Sequence, residues 1–120
     1  MKPHILVVDD EANIRELLGQ FLTDCGYRLT AVASATEALQ AVQQAPPDLI
    51  ISDLQLEDAD GLEMIGQLKA VLPDTPVILL TGVLFDPAVV SDSLNGRIAC
   101  YLPKTSPLAQ ILATVRRLLG

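Results

Sequence analysis

Leu49-Ile50-Ile51-Ser52-Asp53 is a run of three aliphatic residues that gives way to a hydroxyl and then a carboxylate. A short apolar run bounded by turn chemistry reads as a strand buried on both faces, the form strands take in a parallel sheet. Pro46-Pro47 precedes the run and closes off a helix before it. Asp53 stands at the carboxyl end, the edge at which open α/β sheets bind ligands.

Working outward, four more strands of the same kind are expected. His4–Val8 is apolar and β-branched and ends in Asp9-Asp10-Glu11. Tyr27–Ala33 is a weaker strand, Val77–Leu80 ends in Thr81-Gly82, and Arg97–Leu102 ends in Pro103-Lys104. Helices alternate with them. Ile14, Leu17, Leu18, Phe21 and Leu22 recur at helical spacing before a Gly26 C-cap. Ser34-Ala35-Thr36-Glu37 fits a capping box that opens a second helix through Ala38, Leu39 and Val42. Gly61 precedes a third, with Leu62, Ile65, Leu68 and Leu72 on one face. Asp86-Pro87 to Asn95-Gly96 frames a short fourth, although Val89, Val90 and Leu94 form a poor amphipathic face. Ser106-Pro107 caps a fifth with Leu108, Ile111, Leu112, Val115 and Leu118 inward and Arg116-Arg117 in its last turn. Strict alternation implies right-handed crossovers, hence a doubly wound five-stranded parallel sheet, a flavodoxin-like (βα)5 three-layer α/β sandwich.

The 120 residues read as a single domain, 1–120, with an aliphatic core: half are hydrophobic, yet there are two Phe, two Tyr and no Trp. No apolar run approaches a bilayer span, and Met1-Lys2-Pro3 does not open a signal peptide, so no membrane partner is expected. Cys25 and Cys100 lack metal or redox spacing and are expected reduced, which suits a cytoplasmic protein. A formal charge of −7 argues against direct nucleic-acid binding, because phosphates reward a basic surface.

Four of the five expected strands end in chemically capable residues: Asp9-Asp10, Asp53, Thr81 and Lys104. In a flavodoxin-like strand order their carboxyl ends converge on one crevice. Three carboxylates there repel one another unless a cation enters, and hard oxygen ligands favour Mg²⁺, with Mn²⁺ as second candidate. A divalent cation, an ammonium and a hydroxyl are what a phosphoryl group needs around it. A carboxylate supplied with a phosphodonor can then become an aspartyl phosphate.

These residues together resemble the response-regulator receiver family of two-component signalling, across the whole chain. The resemblance rests on Asp9-Asp10, Asp53, Gly61 eight positions beyond it, Thr81-Gly82, Tyr101 and Lys104. It implies a signalling domain, catalysing only its own phosphorylation and dephosphorylation, with Asp53 as phosphoacceptor. It further implies that Asp9, Asp10, Asp53 and the Gln55 carbonyl hold Mg²⁺, and that Thr81 and Lys104 bind the phosphoryl group. Gly82 leaves room for that group to enter. Thr81 and Tyr101 form the switch, remodelling a surface made by the fourth helix, fifth strand and fifth helix. The implied partners are a histidine kinase or phosphotransfer protein, an output domain or downstream protein, and a second copy in a phosphorylation-dependent dimer. Either a stand-alone receiver or a domain of a longer regulator is compatible with the residues, and the latter is expected because the chain stops close to its last helix.

Four features depart from the family pattern. Glu57 replaces a usual proline, and Thr105 replaces the proline that usually follows the lysine in a cis peptide. Leu84–Leu94 lacks the usual alanine-rich helix, and Thr81 to Lys104 is one residue longer than is typical. The alternatives are a receiver-like interaction module that no longer takes phosphate and a haloacid-dehalogenase-type phosphohydrolase. The latter requires a second Asp where Gln55 stands. A flavodoxin-like nucleotide or flavin binder requires a phosphate-cradling loop where Asp9-Asp10-Glu11 would repel phosphate.

Overall fold

Five parallel strands, β1 (His4–Val8), β2 (Arg28–Val32), β3 (Leu49–Ser52), β4 (Val77–Thr81) and β5 (Cys100–Pro103), form one sheet in the order β2-β1-β3-β4-β5. The structure is a computed structural model that describes residues 2–53, 61–81 and 99–119. The expected fourth helix over 86–95, the loop 54–60 and Arg97-Ile98 lie outside the described residues. The helices within them are α1 (Ala12–Asp24), α2 (Ala35–Gln44), α3 (Gly61–Val71) and α4 (Leu108–Leu119).

Successive strand side chains point to opposite faces, and the central strands divide their aliphatic residues accordingly. Leu6, Val8, Ile50, Val77 and Leu79 pack with Ala38 and Val42 of α2 and Met64, Ile65 and Leu68 of α3. Ile5, Val7, Leu49, Ile51, Ile78, Leu80 and Leu102 pack with Leu18 and Leu22 of α1 and Ile111 and Val115 of α4. Both faces of the sheet are therefore covered, and β1 and β3 are buried along their whole lengths. This is the doubly wound sandwich expected from the alternation of strands and helices.

Local signals are realised with small shifts. Gly26, at φ +99°, stands one residue beyond the C-cap Cys25. Its N–H donates to the Thr23 carbonyl at 3.0 Å, and the Tyr27 N–H donates to the Leu22 carbonyl at 3.1 Å, the paired bonds of a Schellman ending. At α2 the Glu37 N–H donates to Ser34 Oγ at 3.2 Å, but Glu37 Oε2 accepts from the Ala33 N–H at 3.0 Å, one residue before the cap. Ser106 does not cap the last helix: its buried hydroxyl has no hydrogen-bond partner, and the Pro107 carbonyl receives the first helical bonds from Gln110 and Ile111. Leu17, expected on the inner face of α1, is 50% exposed. The last strand begins at Cys100 and runs through Pro103, which an edge strand tolerates because it needs no donor on its open side. Cys25 and Cys100 are both free thiols.

Candidate phosphoacceptor site

The chain turns from β1 to β2 on one side of the sheet and reaches β3 on the other, so β1 and β3 flank the point where strand order reverses. Their register sets Val8 opposite Ser52. The next residue of each strand, Asp9 and Asp53, therefore emerges side by side at the carboxyl edge. Both backbones remain in the ladder: the Asp9 N–H donates to the Val32 carbonyl at 3.1 Å and the Asp53 N–H to the Val8 carbonyl at 2.9 Å. Ser52 Oγ donates to the Asp53 carbonyl at 3.0 Å. The two acids are thus held on the rigid sheet, with Asp9 only 2% and Asp53 only 5% exposed.

Asp10 completes the group. One carboxylate oxygen from each of Asp9, Asp10 and Asp53 lies within 4.8 Å of the others. Octahedral Mg²⁺ takes oxygen ligands at about 2.1 Å, so oxygens across one ion stand about 4 Å apart, a spacing this group accommodates. The donor set is all oxygen, which suits a hard cation.

Lys104 reaches the cluster from the far edge of the sheet. Strands lie about 4.8 Å apart, so a side chain leaving β5 must cross above β4 to reach β3, and only a long one can. Lys104 Nζ donates to Asp53 Oδ2 at 2.9 Å, lies 3.0 Å from Asp9 Oδ2, and meets Glu11 Oε1 at 3.1 Å. The described residues contain no cis peptide bond, so Lys104 makes this reach with a trans link to Thr105. Arg15 Nη1 donates to the Asp9 carbonyl at 2.8 Å, and the Glu11 N–H to Asp9 Oδ1 at 2.9 Å.

The electrostatics follow from burial. Desolvation pushes the Asp9 carboxyl above its ordinary range and Asp53 repels its charge, while the Glu11 amide and Lys104 pull the other way without cancelling the shift. For Lys104 burial works against the charged form. Hydrogen bonds to Asp53, Asp9 and Glu11 outweigh it and hold the ammonium above the ordinary lysine value. Four carboxylates, Asp9, Asp10, Glu11 and Asp53, outnumber the two cations, Lys104 and Arg15, so the crevice retains a demand for positive charge.

Of the residues anticipated here, Asp9, Asp10, Asp53 and Lys104 come together. Thr81 ends β4, its Cα paired with that of Pro103, on the same edge. Tyr101 is half-buried and packs against the α2–α3 side of the sheet, opposite Leu79 in register. Gln55, Glu57 and Gly82 lie outside the described residues. Glu11 and Arg15 were not anticipated as site residues, since nothing in their local pattern distinguishes them from solvated helix charges.

Residues 5–116 match the profile of the response regulator receiver domain. The chain belongs to the response-regulator receiver family. This receiver is 34% identical over 126 residues to the response regulator MprA of Mycobacterium ulcerans, covering 99% of this chain and 51% of MprA. It is 36% identical over 93 residues to the transcriptional regulatory protein GlrR of Escherichia coli K12, covering 78% of this chain and 21% of GlrR. The receiver thus spans about half or less of the length of these relatives. Among solved structures it resembles a CheY-like receiver domain protein from Methanospirillum hungatei, with a TM-score of 0.92 at 27% identity, covering 99% and 94% of the two chains. Vibrio cholerae CheY4 gives 0.91 at 28% identity, covering 99% and 100%. The receiver is therefore a signalling domain of the two-component response-regulator class. No helix among the described residues is long and apolar enough to cross a membrane.

Proposed function

We propose that this receiver accepts a phosphoryl group on Asp53 from a histidine kinase or phosphotransfer protein, in a Mg²⁺-dependent reaction in the cytoplasm. The observation that carries the reading is Lys104 Nζ at 2.9 Å from Asp53 Oδ2 beside three acids whose oxygens converge within 4.8 Å. Asp53 Oδ attacks phosphorus, the bond to the donor's imidazole nitrogen breaks, and the departing imidazole takes up a proton. Asp9, Asp10 and Asp53, with the Gln55 carbonyl, hold the metal, which when bound supplies positive charge to the phosphoryl oxygens. Lys104 donates to a phosphoryl oxygen and so stabilises charge that desolvation would otherwise penalise. Thr81 at the end of β4 donates its hydroxyl to the same group, and Tyr101 moves inward behind it. Phosphorylation turns the singly charged Asp53 carboxylate into an acyl phosphate of roughly two negative charges, a net gain of about one in a crevice that already holds several, and rearrangement of the β4–β5 edge relays it.

The reading is tested by intact mass after incubation with acetyl phosphate. One phosphoryl adduct is expected with Mg²⁺, and none with EDTA or in Asp53→Ala. No adduct in protein shown separately to bind Mg²⁺ would replace the reading with that of a phosphate-independent interaction module.

A further inference from the structure

Arg15 is the fourth residue of α1, a helix that opens after an N-cap, Glu11, whose side chain makes no capping bond, and whose first turn carries no acid. The positive end of a helix dipole lies at that terminus, so a cation there is opposed by it. Carboxylates crowd the neighbouring crevice, yet Arg15 makes no ion pair among the described residues. Its Nη1 donates instead to a neutral group, the Asp9 backbone carbonyl, at 2.8 Å.

That carbonyl lies just past the sheet. The Val8 carbonyl, which accepts from Asp53, and the Asp9 N–H, which donates to Val32, are the last groups of this segment in the ladder. The Asp9 carbonyl beyond them belongs to the Asp9–Asp10 peptide, a unit planar from one Cα to the next. A bond that restrains the carbonyl therefore restrains the plane from which the Asp10 side chain departs. The carboxylates of Asp9 and Asp53 have restraints of their own, from the Glu11 N–H and Lys104 on Asp9 and from Lys104 on Asp53. The half-buried Asp10 carboxylate has none among the described residues, yet its oxygen lies within 4.8 Å of the other two. Like charges repel at that range, and an unrestrained Asp10 gains by turning out to water. We infer that Arg15 is a positioning residue, whose bond to the Asp9 carbonyl holds the Asp9–Asp10 peptide so that Asp10 is preset to bind a divalent cation. This inference rests on Asp9, Asp10 and Asp53 being the metal ligands of the proposed reaction.

The test is Mg²⁺ affinity from NMR amide titrations at a temperature where every variant is folded, with melting temperature in EDTA measured alongside. Arg15→Met keeps an apolar stem and loses both donor and charge. Removing a cation from beside a cation site would by charge alone tighten binding. Loss of the hydrogen bond behind a metal ligand weakens it instead, here by about tenfold. Arg15→Lys keeps the charge on a donor one atom shorter and is expected to recover part of that loss. In EDTA the Asp9 ¹³C carbonyl resonance should move upfield in Arg15→Met, as a carbonyl that loses a hydrogen bond does. Gly26→Ala, at the far end of α1, should keep native Mg²⁺ affinity despite its lower stability. Unchanged or tighter Mg²⁺ binding in Arg15→Met overturns the inference, as does an unmoved Asp9 carbonyl resonance, or affinity that follows melting temperature across the three variants. A native protein that binds no Mg²⁺ removes the metal reading and this inference with it, an outcome distinct from native binding that Arg15 does not affect.

Discussion

Asp9 is the residue at which burial and charge conflict most directly. Its carboxyl is almost wholly buried beside Asp53, and its pKa in the folded chain lies above the ordinary 3.8. A carboxyl whose pKa rises on folding contributes stability that is complete below its unfolded value and lost as pH rises through its folded value. Asn is close in shape to the protonated acid and has no such dependence. In EDTA, the stability of Asp9→Asn minus that of the native protein should therefore increase as pH rises from about 3.8 and level off above the folded-state pKa, read from urea midpoints. A difference that falls with pH would show that Lys104 stabilises the Asp9 charge more than burial opposes it. At this scale the sequence was legible where the clustered residues stand at strand ends: Asp9, Asp10, Asp53 and Lys104 each lie just past a strand. Glu11 and Arg15 were not legible, because their partners are chosen by where α1 meets the sheet edge. Leu17 satisfied the helical periodicity and is still 50% exposed.

The helix ends were readable because capping chemistry is local. Gly26 carries φ +99°, and a Cβ built there would meet nothing within 4 Å, so Gly26→Ala meets a backbone penalty and no clash. It is expected to lose about 1 kcal/mol of stability by chemical denaturation. Ser34→Ala removes the acceptor of the Glu37 N–H and should cost about 1 kcal/mol as well. The sites are on different helices without a shared partner, so the two losses should add in the double variant. A double variant clearly worse than the sum would reveal coupling through β2, which lies between them in the chain. Ser106 shows the limit of local reading. The Ser-Pro pair has the composition of a cap, but its hydroxyl is buried without a partner while the Pro107 carbonyl starts the helix.

At the scale of the whole molecule, the order β2-β1-β3-β4-β5 places β1 and β3 together at the sheet centre and sends Lys104 in from the β5 edge. The site therefore joins carboxylates from the first half of the chain to Lys104 from near its end, and the carboxylates themselves come from two separate strands. A cation that enters it stabilises the folded state alone, because the unfolded chain has no such cluster. At a Mg²⁺ concentration one hundred times its dissociation constant, the unfolding free energy should increase by about 2.7 kcal/mol. The gain should vanish with EDTA and be strongly reduced in Asp10→Ala. Equal stabilisation by Na⁺ at matched ionic strength would mean screening of the excess acid and no bound divalent ion.

Sequence by itself determined the strands, most of the helices, the fold class and the principal acids of the site. Each of these depends on periodicity, capping or turn chemistry over a few neighbouring residues. Tertiary structure alone decided that Lys104 is shared among three carboxylates, that Glu11 leaves its helix uncapped to take part, and that Leu17 stays in water. Those outcomes depend on distances between residues up to 95 positions apart, which sheet order and register set and local pattern does not carry.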